Sequence, residues 1–96
     1  MIAKAFSTRT DDGILGPSGR TIKVYGMHII SGAGGGGVVA LKNGTTTAGS
    51  TVKSDTGTAS VGITFDYSTA PYMFGDGCFA DVDANVTRVT IFYEVV

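Results

Sequence analysis

Along most of this chain apolar and polar residues alternate at every second position, and no window of helix length carries the 3.6-residue period of an amphipathic helix. Threonine, valine, isoleucine and aromatic residues dominate, and glycines interrupt them every few residues, which is the wording of strands and turns. The pattern predicts strands at residues 2–8, 21–30, 37–42, 51–54, 60–65, 72–74, 78–82 and 86–95. Asn43-Gly44 is the strongest turn signal, and Gly16-Pro17-Ser18-Gly19, Asp55-Thr56-Gly57-Thr58 and Phe74-Gly75-Asp76-Gly77 mark further turns. The expected fold is all-β, a small β-sandwich or jelly-roll-like domain over residues 21–96, with residues 1–20 as an N-terminal arm or a strand plus loop.

Two long strands depart from clean alternation. In residues 21–30, Ile22, Val24, Gly26, His28 and Ile30 share one face, while Lys23 shares the other with Tyr25, Met27 and Ile29. In the last strand, Val89 and Ile91 mark the core face, yet Phe92 and Val96 stand on the wetter face with Arg88, Thr90 and Glu94. Both strands therefore read as apolar on two sides over part of their length. A small sandwich has one solvated face per sheet, so a second apolar patch calls for a partner chain. With the aromatic-rich segment around Pro71, this makes Tyr25, Met27, Ile29, Tyr72, Phe74, Phe92 and Val96 the expected interface of a homo-oligomer.

Composition narrows the function classes. The chain has 96 residues, enough for one domain with a small core. A net charge of −1, with no basic run, argues against a nucleic-acid partner. No stretch approaches the length of a membrane span, and the start, MIAKAFSTRTDDG, lacks the apolar centre of a signal peptide, so export by the general secretory route is not expected. Cys78 is the single cysteine, which rules out an internal disulfide. Asn43-Gly44-Thr45 and Asn85-Val86-Thr87 match the glycosylation triplet and are read as chance matches.

The candidates for chemistry are few. The run Gly34 to Gly37 lacks the Lys and Ser or Thr of a phosphate-binding loop and precedes Val38-Val39-Ala40-Leu41 rather than a helix, so it reads as a structural turn with close backbone approach. His28 is the only histidine, and a triad would need Ser31 and Asp66 brought to it. One Cys and one His fall short of a zinc set. Asp76, Asp81 and Asp83 are compatible with calcium, or with ordinary turn hydrogen bonding, and lack EF-hand spacing. Cys78, beside Phe79, reads as a buried thiol. Tyr67, Tyr72, Met73 and Phe74 fit a sugar platform, an interface anchor or core. No cofactor is expected.

The stretch GGVVALKNGTTT (36–47), the strand Gly62-Ile63-Thr64-Phe65 and the ending VTRVTIFYEVV (86–96) together resemble small phage virion structural proteins of the capsid decoration, or cement, type. That resemblance implies a non-enzymatic virion component that stands as a homotrimer on the capsid surface and staples capsomers of the major capsid protein, after assembly in the host cytoplasm. It also implies a reaching element, for which the arm STRTDDGILGPSGR is suited. The alternative is a small carbohydrate- or receptor-binding β module of a phage tail or fibre.

Overall fold

The computed structural model describes the backbone of residues 4–9 and all of residues 12–96. Its strands are β1 (Lys4–Arg9), β2 (Gly13–Leu15), β3 (Ile22–Ser31), β4 (Val38–Asn43), β5 (Ser50–Thr56), β6 (Gly62–Asp66), β7 (Tyr72–Phe74), β8 (Cys78–Val82) and β9 (Val86–Val95). They form one antiparallel ribbon folded back on itself. β1 lies against β9, β2 against β8, β3 against β6 and β7, and β4 against β5. Rolling the ribbon then sets β9 beside β3 and β8 beside β4. The result is two sheets, one ordered β1-β9-β3-β6 with β7 also on β3, the other ordered β2-β8-β4-β5. This winding is a jelly roll, the all-β sandwich that the alternation predicted.

The strands expected at 72–74, 78–82 and 86–95 form with those limits, and the remaining expected strands form within a few residues of theirs. Residues 2 and 3 of the first expected strand lie outside the described residues. Gly13–Leu15, read as part of the arm, pairs with β8 as β2. Asp12 extends that pairing, because its carboxylate accepts the Val82 N–H at 2.7 Å.

Between the sheets lie Leu15, Ile22, Val24, Met27, Ile29, Val39, Leu41, Phe74, Val89 and Ile91, all without solvent exposure. Each such side chain contributes about 1.5–3 kcal/mol by leaving water. Both halves of β3 feed this one core, and a β-bulge explains how. The β3–β9 register shifts between Val24 and Gly26, so Tyr25 is an extra residue in the ladder. The insertion reverses the alternation: Ile22 and Val24 point inward before it, Met27 and Ile29 after it. The second apolar face expected on residues 21–30 is therefore absent. Met27 and Ile29, expected at an interface, belong to the domain's own core. So does Phe74, which lies opposite Ile22 at the β3–β7 pairing.

The glycine run is a tight place in this sandwich. A Cβ at Gly37 would lie 2.4 Å from Val86 Cγ2 and 2.9 Å from the Val86 nitrogen, and one at Gly36 would lie 2.2 Å from the Gly57 carbonyl oxygen. The Gly37 N–H donates to Ser31 Oγ at 2.9 Å, and its carbonyl accepts the Gly57 N–H at 2.8 Å. The β3–β4 turn is thus clamped against the turns that follow β5 and β8, all within one chain.

Candidate interaction surface

The groups that could carry chemistry are each engaged in local structure. His28 points outward from β3, and its Nδ1 lies 2.8 Å from the Thr64 hydroxyl on β6. Ser31, three positions after His28 on β3, is buried and accepts from the Gly37 N–H. Asp66 accepts from the Ser68 N–H at 2.9 Å, which holds its carboxyl below the usual carboxylate range. The triad considered from sequence is therefore not assembled. Asp76 and Asn43 bond reciprocally: Asn43 Nδ2 donates to the carboxylate at 3.1 Å and the Asp76 N–H donates to Asn43 Oδ1 at 3.0 Å. Asp81 pairs with Lys42 at 3.3 Å, and Asp83 accepts from the Asn85 N–H at 2.9 Å. Among the described residues no three His, Cys, Asp or Glu gather as a metal site. No helix among them is long and apolar enough to cross a membrane.

Cys78 is buried at the start of β8, and burial pushes its thiol up to about 12. In the aromatic segment, Tyr67 is buried with the core and Phe74 lies wholly inside it. Tyr72 is partly buried, its ring edge-on to Tyr67 at 5.1 Å. The Tyr67 hydroxyl donates to Asp55, and burial, more than that bond, pushes the phenol's pKa up.

Of the expected interface residues, Tyr25, Tyr72, Phe92 and Val96 keep some exposure. Tyr25, at the bulge, donates its hydroxyl to Glu94; that bond is the main reason its phenol is pushed up to about 12. The Lys23 ammonium stands 5.4 Å from the Tyr25 ring centroid. Phe92 is 40% exposed and sits opposite Gly26 across the β3–β9 ladder. Val96, just past β9, is 56% exposed. Met73 on β7, 50% exposed and opposite Lys23, joins this group. It was visible in sequence only as a member of the aromatic segment, because a three-residue strand shows too little alternation to fix which way it faces. Met73, Tyr25, Glu94 and Phe92 thus lie on the outer face of the sheet that contains β3 and β9. Ile14, Val52 and Val61 are also exposed, but each stands on or beside a different strand.

No protein-family profile matches this chain, and no curated protein matches it. The fold is similar to a solved structure described as "Bacillus endospore appendages form a novel family of disulfide-linked pili". The TM-score is 0.50 at 10% sequence identity, over 99% of this chain and 84% of that one.

Proposed function

We propose that this domain is a non-enzymatic structural subunit that acts by self-association into a surface assembly. The observation that carries the reading is the gathering of Met73, Tyr25 and Phe92 on one outer sheet face, with Val96 at its end, while the acids, His28 and Cys78 are bound up in local structure. An exposed apolar patch of that kind suits contact with a protein surface. The fold likeness to a component of pili supports an appendage- or fibre-type assembly more than a capsid cement protein. The homotrimer and the major capsid protein as partner rest on the resemblance of short sequence stretches alone. Pili of the similar structure are described as disulfide-linked; this chain's single thiol is buried, so its contacts would be non-covalent. Substituting Phe92→Glu tests the reading: the variant should keep the fold by circular dichroism and lose self-association. Unchanged association in the folded variant would remove this face from the interface.

A further inference from the structure

The edge strand β5 carries two charges on its inner face. Lys53 lies opposite Leu41 and Asp55 opposite Val39, and both of those partners are core residues without exposure. Lys53 and Asp55 therefore point into the gap between the sheets, at the side where the sandwich opens. There they pair with each other at 3.2 Å, with side-chain exposures of 28% and 12%. Rings from the other sheet's side bracket them. The Tyr67 hydroxyl donates to Asp55, and the Lys53 ammonium stands 5.5 Å from the Tyr67 centroid and 5.8 Å from that of Tyr72.

A strand adding to β5 would extend the second sheet across this opening. Its inner side chains would strip the remaining water from a partly solvated ion pair, and desolvating such a pair costs more than its attraction returns unless new partners are supplied. Inward-turned charges on an edge strand are a recognised obstacle to strand addition. The register shift between Leu41 and Lys42 adds a bend to the same edge. The neighbouring edge of the first sheet is also short, since β6 and β7 are separate strands of five and three residues with Pro71 between them.

We propose that Lys53 and Asp55, bracketed by Tyr67 and Tyr72, act as a gate that closes the β5 edge to strand addition by a second copy of this chain. Association is thereby confined to other surfaces of the domain. This inference stands apart from the role of Phe92, since it concerns an edge left unpaired among the described residues. The test compares light-scattering mass and thioflavin fluorescence of the wild type with two double variants at equal concentration. In the first, Lys53→Thr with Asp55→Thr, the charges are gone and the strand propensity is kept. Its weight-average mass should reach about twice that of the wild type or more, the least that pairing of copies produces. In the second, Lys53→Asp with Asp55→Lys, the charges are exchanged and the mass should match the wild type. A folded threonine variant at wild-type mass overturns the gate, as does an exchanged variant that associates as much as the threonine variant. Should the threonine pair fail to fold, Lys53→Met with Asp55→Asn, which removes both charges at nearly constant shape, decides: a mass unchanged from wild type counts against the gate.

Discussion

Gly37 and Gly75 differ in what a side chain would meet. Around Gly75 nothing lies within 4 Å of an added Cβ, whereas at Gly37 the side chain and backbone of Val86 block it. Gly37→Ala should therefore destabilise the domain by about 1–3 kcal/mol, the range for forced overpacking. Gly75→Ala should stay within about 0.5 kcal/mol of the wild type in urea unfolding. Titration acts at the same scale. Cys78 is raised from 9.0 to about 12 and Tyr25 from 10.0 to about 12, with Tyr67 shifted the same way. Each neutral form is favoured by folding, so the stability they supply is fully present below about pH 9 and is lost as pH rises toward 12. Thermal unfolding followed from pH 8 to 12 should show the midpoint begin to fall above pH 9, and a flat profile would contradict this. The native Cys78 thiol should also resist alkylation until the domain is unfolded. The glycine run could be read from sequence as a structural turn because the residues of a phosphate loop were missing. That Val86 and Gly57 are what it packs against depends on the roll of the ribbon, which no local pattern contains.

The strands of this chain were largely visible in its alternation, because a half-buried sheet imposes a period of two on the residues that build it. Two features were not. β2 has three residues, too few to alternate, and lies in a stretch rich in glycine and mixed charge. The bulge at Tyr25 breaks the period inside a strand, so its apolar residues looked like two faces when they form one. Changing the residue count tests this directly. Deletion of Tyr25 closes the bulge and leaves Ile22, Val24, Met27 and Ile29 on one face of an unbroken strand. It should therefore cost little more than Tyr25→Ala, which keeps the bulge and loses the Glu94 bond and the Lys23 contact. Inserting an alanine between Gly26 and Met27 instead turns either Ile22 and Val24 or Met27 and Ile29 away from the core. The insertion should cost about 3–6 kcal/mol in urea unfolding, two aliphatic side chains at 1.5–3 each. Similar losses for the deletion and the insertion would mean that the bulge does not set the register.

At the scale of the molecule, the jelly roll places its buried side chains in one layer and leaves the functional question to the surface. Candidate interface residues were the least legible part of the sequence: Met27, Ile29 and Phe74 carry the same apolar signature as Phe92 and Val96, and only the fold separates inward from outward. The exposed apolar side chains include Phe92 and Met73 on the outer face of the β3–β9 sheet, and the β5 edge carries the inward Lys53–Asp55 pair. The measurement that tests the structural-subunit account most directly is solution mass by light scattering over a wide concentration range, on the wild type and on Phe92→Glu. The account predicts a discrete wild-type species heavier than the 9.8 kDa single chain, and a folded variant returned to that single-chain mass. A wild type that stays at 9.8 kDa at every concentration would contradict it.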